Sequence, residues 1–193
     1  MPYKSNTIKI TAIIIIMILL IALVYRKRLK RIAMSTINYL KQKTWDILTD
    51  RRISTLHPAI RAKAKEFIIR AEKELGIKLR VTSALRTWQE QQRLYNKGRT
   101  ITGKIVTHAL PGQSYHNYGL AVDVVEIKNG KAIWENPKWN KIAHLGKQIG
   151  FEWGGDWKRP DRPHFQMRLG MHHTQLARLY RQGKRNGNYV LLS

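Results

Sequence analysis

The clearest pattern of apolar and polar positions lies between His57 and Gly76. Ile60, Ala64, Phe67, Ile68, Ala71 and Leu75 recur with a period near that of a helix, behind His57-Pro58 and ahead of Gly76. This predicts a helix with proline in its first turn and glycine just past its last. Ile77, Leu79 and Val81 then alternate with Lys78, Arg80 and Thr82, the period of a half-buried strand. Thr87-Trp-Gln-Glu90 is a capping-box pattern that opens a second helix running to about Lys97, with Gly98 beyond it. Thr100 to Gln113 has no clear period and reads as a long loop. Leu120 to Ile127 is a strand, Asn129-Gly130 a two-residue hairpin signal, and Lys131 to Trp134 the returning strand. A third helix follows Pro137, with Trp139, Ile142, Ala143, Leu145, Gly146 and Ile149 on one face and Gly150 at its end. Phe151 to Trp153 and His164 to Met167 are short strands around a turn at Gly154-Gly155. The sum is an α+β fold, an antiparallel sheet flanked by helices.

The amino-terminal end follows a different pattern. Ile10 to Tyr25 is an apolar run with no charged residue and only Thr11 breaking it, and the basic cluster Arg26 to Arg31 follows at once. Roughly 20 residues span a bilayer, so the run is marginal unless Ile8 and a snorkelling Lys9 are counted. An uncleaved membrane anchor is the expectation. The rival, a secretory signal peptide, lacks a small-x-small cleavage site, because Tyr25 and the basic block occupy that place. The chain is thus expected to divide into an anchor with basic flank at residues 1–31, a partly helical linker at 32–53, one globular domain at 54–170 and a basic tail at 171–193.

Composition narrows the chemistry. The chain has 193 residues, 36 Lys and Arg against 12 Asp and Glu, and a formal net charge of +24. That excess favours a polyanionic partner: nucleic acid, anionic lipid headgroups or an anionic cell-wall polymer. Cysteine is absent, which excludes disulfides, thiolate metal ligands and a thiol nucleophile. Any metal is therefore held by His, Asp or Glu.

Two stretches carry such residues. In SYHNYGLAVD, Ser114 to Asp123, Asp123 falls mid-strand on a face shared with Ala121, where a carboxylate needs a partner or a metal. His116 precedes the strand, and Gly119 lets the backbone turn it toward Asp123. In DRPHFQ, Asp161 to Gln166, Pro163 stiffens the approach to His164, which begins a strand that can pair with that of Asp123. Two His and one carboxylate are a normal catalytic zinc set, so His116, Asp123 and His164 are the candidate ligands. Asp161, three residues before His164, is the candidate base, its pKa tuned by partial burial.

The S-x-H-x-x-G-x-A-x-D at Ser114 to Asp123, the W-G-G at Trp153 to Gly155 and the D-x-x-H-F at Asp161 to Phe165 resemble the zinc-dependent D-alanyl-D-alanine carboxypeptidase and L-alanyl-D-glutamate endolysin family. These are peptidoglycan peptidases that share the zinc fold of Hedgehog signalling domains. The resemblance covers about Ser54 to Met167. It implies that His116, Asp123 and His164 bind zinc, that Asp161 is the general acid/base, and that residues 54–170 form a zinc peptidase domain. It also matches Ser83-Ala-Leu-Arg86 to a family S-x-x-R motif whose arginine faces the substrate, where Arg86 would stabilise an oxyanion or hold a carboxylate. Asp rather than Glu at position 161 favours an L-alanyl-D-glutamate endopeptidase over a D-alanyl-D-alanine carboxypeptidase or dipeptidase.

The implied substrates are peptidoglycan stem peptides, with anionic wall polymers or lipid headgroups as further partners, no nucleic acid, and a monomeric state. Ser114, Trp153 and Asp156 are candidate substrate contacts, Trp153 the foremost of the tryptophans. His57, His108, His144, His172 and His173 have no supporting partners in sequence and are read as structural or surface residues. A wall-facing, membrane-anchored domain is the expected location, although the positive-inside rule leans the other way. A tethered, zinc-stabilised binding module for anionic polymers is the rival of a different class.

Overall fold

The computed structural model describes residues 3–135 and 138–192, with side chains from residue 15 onward. It divides into two units, Met1–Lys43 and Thr44–Ser193. Helix α1 (Tyr3–Ser54) begins in the first and ends in the second. No glycine or proline interrupts it, so nothing in the backbone chemistry separates the expected anchor from the expected linker. In the first unit the apolar side chains from Ile15 to Tyr25 are exposed and the basic cluster Arg26 to Arg31 follows in the same helix. Among the described residues, whose side chains begin at Ile15, no helix is long and apolar enough to cross a membrane. The start of the expected anchor, Ile10 to Ile14, has side chains outside the described residues.

The second unit takes in the last turns of α1, where Thr49 and Ile53 are buried and the Thr49 hydroxyl accepts a hydrogen bond from the Val81 N–H at 3.1 Å. Helix α2 (Pro58–Leu75) follows, with His57 as its amino-terminal cap and Gly76 closing it in the left-handed conformation. Strand β1 (Leu79–Ser83) leads to helix α3 (Trp88–Asn96), which opens on the capping box of Thr87 and Glu90. Strands β2 (Ala121–Lys128) and β3 (Lys131–Ile133) form the expected hairpin, with Asn129 and Gly130 both at positive φ. Helix α4 (Trp139–Ile149) precedes β4 (Glu152–Trp153) and β5 (His164–Gln166).

The sheet is antiparallel throughout. Strand β2 pairs with β1 along one edge and with β5 and β3 along the other, and β4 closes the far side of β5. Helices α2 and α4 cover one face, with Phe67 of α2 packed on Phe165 at 4.8 Å and on Phe151 at 5.6 Å between ring centroids. Gly146 is what lets α4 approach. A Cβ there would lie 2.7 Å from the Phe165 ring, and two aromatic rings wedged in a buried cluster have little room to yield. Gly146→Ala is therefore expected to destabilise the unit by about 1–3 kcal/mol, read as a lower urea midpoint at unchanged slope.

The segment from Met171, expected as a separate basic tail, packs into the same unit. Helix α5 (His173–Arg181) buries Leu176 and Ala177, and Tyr180 stacks on Trp88 with centroids 5.0 Å apart. The two-stranded ribbon β6 (Arg185–Asn186) and β7 (Tyr189–Val190) buries Val190, whose carbonyl accepts from His57 Nε2 at 3.0 Å. Apolar positions spaced along a basic helix, not its charge, decide where it lies.

Candidate metal centre and its cleft

Three local features bring the candidate ligands together. Ser114 caps a 3-10 turn, Tyr115–Tyr118, that carries His116 and ends at Gly119 in the left-handed conformation. Gly119 is held by close backbone contact as well, since a Cβ there would lie 2.7 Å from the His57 nitrogen, which donates to the Gly119 carbonyl at 2.9 Å. Asp123 and His164 are direct partners across the β2–β5 pair. Asp123 also stands opposite Ser83 across β1, just past a register shift. That register sets the Ser83 to Arg86 segment beside the carboxylate.

The donor atoms converge. His116 Nε2 lies 3.1 Å from Asp123 Oδ1 and 3.2 Å from His164 Nδ1, and His164 Nδ1 lies 3.1 Å from Asp123 Oδ1. Four-coordinate zinc with bonds of about 2.0–2.1 Å holds its ligands ~3.4 Å apart, so a small expansion accommodates the ion. The partners behind the rings fix their tautomers. His116 Nδ1 faces the Ala84 carbonyl at 2.7 Å and must carry the proton, which leaves Nε2 a lone pair. His164 Nε2 faces Gln166 Oε1 at 3.0 Å, while the Gln166 amide donates to Glu152 at 3.1 Å. His164 Nδ1 is then a lone pair too. Two imidazole lone pairs and a carboxylate oxygen thus meet within 4.8 Å, an arrangement that calls for a cation between them.

The electrostatics agree for two of the three ligands. Burial opposes a charge on Asp123, but the two imidazoles outweigh it and hold the carboxyl well below its ordinary range. His116 is the reverse: its burial pushes the ring toward the neutral form that a metal ligand needs. Burial also opposes a charge on His164, but the hydrogen bond and charge of Asp123 outweigh it and raise its pKa, so a metal that binds there displaces a proton. The outer partners are a measurable part of the site. Gln166→Leu leaves His164 Nε2 without its acceptor and is expected to weaken zinc affinity about 10–100-fold, as read by competition with a chromophoric chelator.

The cluster forms one wall of a cleft of ≈ 450 Å³ that Arg86, Ser114, Trp157, Asp161, Gln166 and Arg168 also line. Arg86 is fixed by hydrogen bonds to Ser83 Oγ at 3.0 Å and Gln91 Oε1 at 2.9 Å, with Nη2 3.5 Å from Asp123 Oδ2. Asp161 is held by its backbone. Its N–H donates to the Gly154 carbonyl at 2.9 Å, and its carbonyl accepts from the His164 N–H. Gly154 has no room for a side chain, since a Cβ would lie 2.6 Å from the Asp161 carbonyl oxygen. The Asp161 side chain reaches the cleft surface, yet the walls displace enough water to raise its pKa, and the Asp123 charge raises it further.

The structure moves the aromatic wall. Trp153 is only 9% exposed, donates its indole N–H to the Arg162 carbonyl at 2.8 Å and does not line the cleft. Trp157 lines it instead, 38% exposed and with its ring 5.0 Å from that of His164. Asp156 also lies off the cleft, in an exposed ion pair with Lys147 at 2.6 Å. Ser114 lines the cleft and accepts from the His116 N–H at 3.3 Å. Of the other histidines, His57 and His172 cap helices, while His108 and His144 are exposed. Gln166 and Glu152 were not assigned from the sequence. The signal for Gln166 is its place two residues after His164 on a strand, hence on the same face.

Comparison with known proteins gives a consistent result. Residues 107–167 match a family profile described as D-alanyl-D-alanine carboxypeptidase. The chain is 43% identical over 125 residues to the peptidoglycan L-alanyl-D-glutamate endopeptidase CwlK of Bacillus subtilis (strain 168), which covers 59% of this chain and 74% of that protein. It is 34% identical over 95 residues to the L-alanyl-D-glutamate peptidase of Listeria phage A118, covering 47% of this chain and 31% of the phage protein. The crystal structure of the L-Ala D-Glu endopeptidase ChiX of Serratia marcescens aligns at 28% identity with a TM-score of 0.46, over 62% of this chain and 85% of that one. The extent of the match to CwlK, together with the family profile over the ligand-bearing strands, places this chain in the family of zinc-dependent peptidoglycan peptidases to which the D-alanyl-D-alanine carboxypeptidases and L-alanyl-D-glutamate endopeptidases belong.

Proposed function

We propose that this chain is a zinc endopeptidase that hydrolyses the L-alanyl-D-glutamate bond of peptidoglycan stem peptides. The observation that carries the chemistry is the convergence of His116 Nε2, Asp123 Oδ1 and His164 Nδ1 in the cleft that Asp161 and Arg86 also line. The choice of bond is supported by the two relatives named for it, CwlK and the phage peptidase. A zinc ion held by the three side chains supplies Lewis-acid polarisation of the scissile carbonyl and lowers the pKa of an attacking water.

The chain's own residues do the rest. Asp161 removes the proton of the water and later delivers it to the leaving amine. Desolvation by the cleft walls raises its pKa and the charge of a bound ion lowers it, the two acting on the base in opposite directions. Arg86, clamped by Ser83 and Gln91, holds its guanidinium toward the site, where it donates to the oxygen that becomes negative in the transition state. Trp157 stands on the His164 side of the cleft, its ring 5.0 Å from the imidazole. Incubation with purified sacculi tests the activity: soluble fragments appear with zinc and not after chelation, and no release with zinc present overturns the proposal.

Membrane attachment, with the peptidase facing the wall, is part of the same proposal. It is supported by the exposed apolar side chains from Ile15 to Tyr25 and the basic residues that follow them. Protease digestion of spheroplasts without lysis removes the domain if it faces outward and spares it if it does not.

A further inference from the structure

A second groove, of ≈ 640 Å³, lies beside the catalytic cleft. Arg86 and Leu94 line both, so the two are continuous at the arginine. Five cations face the groove: Arg51, Arg52, Arg86, Arg93 and Lys97. Its acid, Glu90, is engaged in its own helix cap, where Oε2 accepts from the Thr87 N–H at 2.8 Å and the Thr87 hydroxyl at 2.9 Å. Arg52 is also engaged, donating to the Val81 carbonyl at 2.7 Å. The side chains of Arg51, Arg93 and Lys97 are exposed and have no hydrogen bond or ion pair among the described residues.

Helix dipoles explain part of this. Arg51 and Arg52 stand in the last turn of α1, Arg93 in the last turn of α3, and Lys97 is the α3 carboxy-terminal cap. Cations are favoured at such ends. The dipoles do not explain why two helix ends from distant parts of the chain turn their cations into one groove that opens onto the arginine of the active site. The floor is apolar, formed by Leu48, Ala84, Leu85 and Leu94. A basic rim over an apolar floor suits a peptide that carries both aliphatic groups and carboxylates, and suits a phosphate polymer less well.

We infer that this groove is an extension of the substrate site that takes the carboxylates of an acidic peptide beyond the scissile bond. The inference rests on the peptidase activity proposed above. It makes Arg93 and Lys97 determinants of specificity, acting on substrate after Arg86 and outside the chemistry. Flexible side chains on helix ends can close on a carboxylate without backbone movement, and their contribution is screened by salt.

The test uses the full chain with zinc and two synthetic peptides containing the L-alanyl-D-glutamyl bond, one with free carboxylates and one with them amidated. The wild type is expected to prefer the acidic peptide in kcat/KM. The double variant Arg93→Gln/Lys97→Gln lowers that preference about tenfold, the factor for losing two partly exposed ion pairs, and added salt lowers it in the wild type. Lys128→Gln/Lys131→Gln, an equal charge loss on two exposed partners of the β2–β3 hairpin, leaves the preference in place. A preference that survives in the double variant while the wild type cleaves both peptides overturns the groove's role alone. So does an equal loss in Lys128→Gln/Lys131→Gln, which assigns the effect to diffuse charge, or weakened binding to a phosphate-rich wall polymer with the peptide preference unmoved. Failure of the wild type to cleave either peptide overturns the activity itself, and the groove's role with it.

Discussion

Asp161→Asn is expected to retain zinc and fold while kcat falls about 10²–10⁴-fold, the range for losing a positioned general base. The substitution keeps the size of the side chain and leaves untouched the backbone bonds that fix the residue, to Gly154 and His164. It removes only the capacity to accept and return a proton. The wild-type pH profile carries the same information. Burial, reinforced by the Asp123 charge, raises the Asp161 pKa, and only the deprotonated carboxylate acts as base. Activity therefore falls as the pH drops through the Asp161 pKa, which the cleft walls raise and the charge of a bound zinc ion lowers, and this limb is absent from the residual activity of Asp161→Asn. The outcome separates an enzyme from a zinc-stabilised binding module, in which the same variant would lose no function.

His116→Ala is expected to lose zinc altogether at concentrations that saturate the wild type. The three donors share one site, and removing the His116 imidazole leaves two, fewer than the three protein ligands that a catalytic zinc site keeps. The loss of affinity exceeds the roughly 100-fold upper figure for an outer partner such as Gln166. Two measurements check it: the metal content of the purified protein, and the thermal midpoint with and without added zinc. Zinc binds the folded form and raises the wild-type midpoint by mass action. The midpoint of His116→Ala stays where it is. Arg86→Gln forms the informative contrast, since it keeps the metal and loses the charge beside it.

The period from Ile60 to Leu75, the Thr87 capping box and the Asn129-Gly130 turn each depend on local geometry, and each stands where the pattern put it. The candidate ligands were legible for another reason: a mid-strand carboxylate needs compensation, and the ordered motifs named its partners. What the sequence did not disclose depends on contacts distant in the chain. Trp153 and Trp157 are four residues apart, and contacts across the turn separate them: the first is buried with its indole N–H on the Arg162 carbonyl and the second faces the cleft. The carboxy-terminal segment looked like a basic tail because charge masks the apolar face of a nine-residue helix. Ala84 acts on His116 through its carbonyl, which no side-chain pattern reports. The groove beside Arg86 is assembled from the ends of α1 and α3, and no single stretch of sequence contains it.

The most direct test of the central claim is identification of the amino termini that the zinc-loaded chain creates in purified stem peptides. New amino termini of D-glutamate, matched one for one by carboxy-terminal L-alanine and absent with Asp161→Asn, are the predicted result. Release of D-alanine without new D-glutamate termini would contradict it and assign the chain to the carboxypeptidase branch of the family.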